Sequence, residues 1–158
     1  MASRQLTFGD LTLKEHECLG KYVKLAYGDH LDIGTNHGGS AATAAFYCKG
    51  TVYSLDIVDR KKKPLPENVT CITVDSHEWR PPVGVFGSCF IDGDHSTEGV
   101  LLDWKLCKSL SPEYITLHDA DLKAVQAALI KCDFDPDYER VETVDKMVVY
   151  QRRQPLAG

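Results

Sequence analysis

Residues His30 to Ser40 read HLDIGTNHGGS, and the alanine-rich run AATAAFYC follows from Ala41 to Cys48. Asp32 sits in a short apolar run, after which Gly34, Gly38 and Gly39 interrupt the chain ahead of a helix-forming segment. Strand, glycine turn and helix in that order build a nucleotide pocket. Gly34 permits the tight turn, Gly38 permits close approach to the backbone, and a helix starting near Ser40 offers unpaired N–H groups. Asp56 closes the next apolar run, TVYSLDI, about twenty residues further on. A carboxylate there can accept hydrogen bonds from both ribose hydroxyls of an adenosine ligand.

Working outward, the pattern alternates strand and helix. Thr12 and Glu15 have the spacing of a capping box and open a helix over about 13–27. Strands are expected at Leu31–Ile33, Thr51–Val58, Val69–Asp75, Ser88–Asp92 and Tyr114–His118, with helices at Ser40–Cys48, about 97–110 and Leu122–Lys131. The tail, Val141 to Gln151, has two β-prone halves around Asp145-Lys146 and reads as a closing antiparallel hairpin. Such alternation implies an α/β sandwich on a mainly parallel sheet with helices on both faces. The links Asp59–Asn68 and Ser76–Gly87 are too short and too rich in proline for crossover helices, so the domain is expected to be trimmed between strands two and four.

Length and composition set bounds. A chain of 158 residues is expected to form a single domain, 1–158, and can bury a core without disulfides or metal staples. The formal charge of −5 argues against a general nucleic-acid surface. The local basic run Arg60 to Lys63 reads as a solvated loop. No apolar run is long enough to span a bilayer and the first ten residues lack a signal core, so a cytoplasmic protein is expected. The six cysteines are scattered without a C-x-x-C pair, which is not zinc spacing, and most read as small buried hydrophobes.

In open α/β sheets ligands bind beyond the carboxyl ends of the strands, and here every expected parallel strand ends in a carboxylate. Asp32, Gly34, Thr35, Asn36, Gly38, Asp56, Ile57, Asp75 and Ser76, with Asp92, form the expected cofactor pocket. In it Asp56 takes the ribose, Asp75 the adenine amino group, and Asp32 orients the ligand's amine through the turn. Asp92, His95, His118 and Asp119 form a second group. Strands four and five are neighbours in such a sheet, so Asp92 and Asp119 can converge. Two carboxylates, a histidine and water suit a hard divalent cation, leaving His95 as a general base. The plainer alternative is that Asp94 or Ser96 caps the helix at 97 while His118 packs.

These residues resemble the class I S-adenosylmethionine-dependent methyltransferases, most closely a small family with a D-G-D-H-x-x-E-G-V segment after the fourth strand. The segment here is FIDGDHSTEGVLLDW, Phe90 to Trp104, followed by ITLHDA, Ile115 to Ala120. The resemblance covers roughly 28–132 and implies a Rossmann-like fold with a reversed terminal hairpin. It implies S-adenosylmethionine as cofactor and Asp92, His118 and Asp119 as ligands of magnesium or manganese, with His95 as catalytic base. The reaction implied is O-methylation of a hydroxyl acceptor. His118 departs from those relatives, which carry an oxygen ligand there.

Alternatives are a metal-independent methyltransferase and a non-catalytic cofactor-binding subunit of a larger complex. Little chain remains to form a lid, so a large acceptor, a second copy or a partner subunit is expected to complete the pocket. GTNHGG lacks the G-x-G-x-x-G of a dehydrogenase, and no nucleophile elbow is present.

Overall fold

The computed structural model describes residues 11–59 and 64–154. The basic run Arg60 to Lys63 and the first ten residues, on which the absence of a signal core was read, lie outside them. Elements follow in the order α1 (Leu13–Leu25), β1 (Asp29–Ile33), α2 (Gly39–Tyr47), β2 (Val52–Asp56), β3 (Val69–Thr73), β4 (Phe86–Ile91), α3 (Thr97–Ser109), β5 (Tyr114–Leu117), α4 (Lys123–Asp133), β6 (Tyr138–Val144) and β7 (Met147–Arg152).

The strands form one seven-stranded sheet in the order β3-β2-β1-β4-β5-β7-β6. β1 to β5 pair in parallel, and β7 runs antiparallel to both β5 and β6. The strand order reverses direction between β1 and β4, which places a crevice over their carboxyl ends.

Local sequence explains the layers. α1 opens on a complete capping box: the Glu15 N–H donates to Thr12 Oγ1 at 3.2 Å, and the Thr12 N–H donates to Glu15 Oε1 at 2.9 Å. Its buried positions include Glu15, Cys18, Leu19, Tyr22 and Val23, one face of a helix. α2 buries Ala41, Ala44 and Ala45, small residues that let it lie close to the sheet. These two helices cover a core with Val52, Phe90, Met147 and Val149. α3 and α4 cover the opposite core, where Val100, Trp104, Val125 and Leu129 meet Leu31, Leu55, Ile91 and Leu117.

The expected trimming is present. Among the described residues, neither 57–68 nor 74–85 contains a helix. Trp79 instead packs near Tyr53 and Phe86, with ring centroids 6.0 and 6.5 Å away. Strand boundaries differ from expectation by a few residues. β1 starts at Asp29 because its first residues already bond outward, Asp29 N–H to Val85 O at 2.7 Å and His30 N–H to Thr51 O at 3.0 Å. β6 starts at Tyr138 rather than Val141, since β7 supplies partners back to the Tyr138–Arg152 pair. The hairpin turns at Asp145, which adopts φ +50°. All six cysteines are free, and Cys18, Cys89, Cys107 and Cys132 are buried as expected. No helix among the described residues is long and apolar enough to cross a membrane.

Candidate active site

The turn after β1 is built against two neighbouring strands. Gly34 and Thr35 both donate their N–H to Leu55 O, at 2.7 and 3.1 Å. Gly34 has φ +95°, and a Cβ on it would fall 2.1 Å from the carbonyl oxygen of Asp92. Only glycine fits there. The next residue but one, Asn36, also has positive φ and donates its N–H to Asp56 Oδ2 at 2.9 Å. The turn and the end of β2 are thereby tied together.

Behind the turn, Asp32 is fully buried and accepts from Ser40 Oγ at 2.7 Å and Ser54 Oγ at 2.6 Å. Ser54 Oγ also bonds Thr35 Oγ1 at 2.7 Å. Burial pushes the Asp32 carboxyl up to about 7 against the lowering effect of the two serines. Asp32 and Thr35 brace the turn from inside, and neither is among the residues that line the cavity in front of it. Gly38 likewise serves packing, with φ +94° at the N-cap of α2 and the Leu65 side chain 2.6 Å from where a Cβ would stand.

In front of the turn lies a cavity of about 460 Å³. Gly34, Asn36, Asp56, Ile57, Asp75, Ser76, Asp92 and His95 line it, joined by His77, Gly93 and Asp94. Asp56 accepts the Asn36 N–H, and Asp75 accepts the His77 N–H at 2.9 Å. Ser76 donates to Asp103 Oδ1 at 2.6 Å, and His77 Nε2 lies 3.1 Å from the same oxygen. Asp103 is fully buried on α3, its Oδ2 has no hydrogen-bond partner, and burial raises its carboxyl above the ordinary range. Neither His77 nor Asp103 was singled out from sequence. The signal for Asp103 was its place on the buried stripe Val100, Asp103, Trp104, Cys107, where a carboxylate is out of character.

The second group does converge. Asp92, His118 and Asp119 each offer a donor atom within 4.8 Å of the others. His95 Nε2 lies 2.9 Å from Asp119 Oδ2 and 3.3 Å from Asp92 Oδ1, so the ring is engaged by both carboxylates rather than free. The helix-capping alternative also holds for part of the segment: Ser96 caps α3 by accepting the Gly99 N–H at 3.0 Å, and Asp94 accepts the Ser96 N–H.

His118 is held from behind by Glu15, with Nε2 at 2.9 Å from Oε2. Its Nδ1 is buried without a hydrogen-bond partner, 3.4 Å from Asp119 Oδ1 and 3.8 Å from Asp92 Oδ1. Burial alone would lower His118, but Asp92 and Glu15 outweigh it and hold the ring up to about 9. Burial raises Asp92 and His118 opposes that. An orphaned imidazole nitrogen facing two carboxylates is a donor set that fits a divalent cation. Glu15 was read only as a helix cap; its position on the same buried face as Cys18, Leu19 and Tyr22 was the signal that it does more.

No family model matches the chain, and no curated protein sequence matches it. Solved structures do. Rv0187 from MTB, solved with its cofactor bound, superposes with a TM-score of 0.74 at 18% identity over 92% of this chain and 82% of that one. An O-methyltransferase from Bacillus cereus in complex with SAH gives 0.68 at 15% identity over 90% and 83%. The N-methyltransferase NodS from Bradyrhizobium japonicum gives 0.61 at 13% identity over 88% and 94%. The fold is that of the Rossmann-like methyltransferases.

Proposed function

We propose that the protein transfers the methyl group of S-adenosylmethionine to a hydroxyl acceptor. One observation carries this reading: a single cavity over the strand ends runs from Asp56 and Asp75 to Asp92 and His95. Adenosine suits the first end, where Asp56 keeps lone pairs for ribose hydroxyls and Asp75, Ser76 and His77 edge the space for the base. The lining carboxylates Asp56, Asp75, Asp92 and Asp94 give a negative field that favours a sulfonium and an ammonium group.

At the other end His95 is the general base. With Nε2–H donated to Asp119, Nδ1 carries the lone pair that accepts the hydroxyl proton, and Asp119 stabilises the resulting imidazolium. The acceptor oxygen forms its bond to the methyl carbon as the carbon–sulfur bond breaks, and S-adenosylhomocysteine leaves. Asp92, His118 and Asp119 would hold a divalent cation, which when bound lowers the pKa of a hydroxyl beside it. Among the described residues, the links 57–68 and 74–85 supply no helix to wall the cavity, which supports a large acceptor, a second copy or a partner subunit on that side.

A second reading is metal-independent transfer, favoured by the placement of His118 among Glu15, Asp92 and Asp119, where a charged ring neutralises the carboxylates without an ion. The test is transfer of a labelled methyl group from S-adenosylmethionine to a panel of hydroxyl compounds, with and without chelator. Transfer abolished by chelation supports the metal-assisted reading, and transfer that survives supports the second. His95→Ala should slow the reaction about 10²–10⁴-fold; a wild-type rate would remove His95 as base.

A further inference from the structure

Glu15 lies at the meeting point of three elements. Its Oε1 accepts the Thr12 N–H at 2.9 Å at the start of α1. Its Oε2 accepts the Lys146 N–H at 3.0 Å from the β6–β7 turn and lies 2.9 Å from His118 Nε2 beyond β5. The side chain is 1% exposed. Both oxygens thus accept backbone N–H groups, and in the last contact Nε2 is the donor. In the neutral ring the lone pair is then on Nδ1, the buried nitrogen without a hydrogen-bond partner that faces Asp119 and Asp92.

We infer that Glu15 is the positioning residue of this centre: by holding Nε2–H of His118 it aims the Nδ1 lone pair at the space shared with Asp92 and Asp119, and so sets a preference for a borderline divalent cation over magnesium. The inference rests on the reading of this cluster as the cation site of the proposed methyltransferase. Two observations carry it independently, the engaged far nitrogen and the orphaned near one. Histidines that ligate metals donate their other N–H to a carboxylate, which fixes ring orientation and raises the basicity of the ligating nitrogen. One imidazole nitrogen among oxygen donors favours ions such as Co²⁺ or Zn²⁺, whereas an all-oxygen set favours magnesium.

The experiment titrates metal-free wild-type, Glu15→Gln and His118→Asn proteins with Co²⁺ and with Mg²⁺ by calorimetry, and records the proton NMR spectrum of each Co²⁺-loaded protein. Wild type should bind Co²⁺ more tightly than Mg²⁺ and show a paramagnetically shifted, exchangeable resonance from His118 Nε2–H. Glutamine at the third helical position still completes the capping box, so Glu15→Gln keeps the helix start. It should lose about 10–100-fold in Co²⁺ affinity, lose the shifted resonance, and change little toward Mg²⁺. Thr12→Ala weakens the cap while leaving the Glu15–His118 contact, and should keep both the Co²⁺ affinity and the resonance. Should Glu15→Gln not fold, His118→Asn carries the test with the same expected losses. Wild-type Co²⁺ affinity in either site variant, a retained His118 resonance in Glu15→Gln, or a wild type that prefers Mg²⁺, overturns the inference. Titration of the metal-free wild type with S-adenosylmethionine reads the methyltransferase assignment separately: its failure removes that assignment, whereas intact binding beside unchanged Co²⁺ affinity in Glu15→Gln removes only the inference.

Discussion

Gly34 shows how much a single residue decides here. Its positive φ and the Asp92 carbonyl 2.1 Å from where a Cβ would stand lock the β1 turn to the end of β4. Gly34→Ala is therefore expected to destabilise the fold by on the order of 1–3 kcal/mol from backbone strain alone, roughly 2–12 °C in a thermal melt, and the clash adds to that. An unchanged melting temperature would show that the turn relaxes freely. The same scale shows where sequence reading reached and where it stopped. Gly34, Asp56, Asp75 and Asp92 were legible because a strand's carboxyl end exposes whatever follows it. The place of Asp32 behind the turn was not legible, because alternation along β1 turns its side chain toward Ser40 and Ser54, an orientation that depends on which face α2 covers. Glu15 and Asp103 went unread as site residues because their partners, His118 and Ser76, lie 103 and 27 positions away.

At the level of elements, β1 carries two buried ionisable groups of opposite tendency on one face, two residues apart. Burial lowers His30 from near 6.5 to about 3, with Nδ1 bonded to Ser88 Oγ at 2.7 Å. Burial raises Asp32 from near 3.8 to about 7. His30 takes its proton first in the unfolded chain, so its contribution to stability falls as pH drops below about 6.5. Asp32 takes its proton first in the folded chain, so its contribution is complete below 3.8 and is lost as pH rises toward about 7. Between pH 4 and 6.5 the two slopes oppose, each up to about 1.4 kcal/mol per pH unit. In urea unfolding across that window, His30→Asn should gain stability on acidification relative to wild type, and Asp32→Asn should lose it. Parallel slopes in all three proteins would refute this balance. The positions of β1 to β5 along the chain followed from apolar runs bounded by turns. The full length of β6 did not, because its exposed face and the register shift between Arg140 and Glu142 hide the alternation.

For the whole molecule, the strand order, the trimmed links and the two helical layers leave one open crevice over the ends of β1, β2, β3 and β4. Asp56 and Asp75 face one part of it and Asp92 and His95 the other. The grouping of Asp56 with Asp75 and of Asp92 with His95 was expected from sequence because each follows the carboxyl end of a strand, where open α/β sheets bind ligands. Which helix closes the back of the chemical end was not visible, since α1 reaches it only through the completed sheet. The central claim is that the crevice binds S-adenosylmethionine, and calorimetric titration with that compound and with S-adenosylhomocysteine, repeated on Asp56→Ala, tests it most directly. Micromolar binding of both by wild type, weakened at least about tenfold in Asp56→Ala, is the expected result, a loss of about 1.4 kcal/mol or more. No binding of either compound by the wild type, or equal binding by the variant, would contradict it.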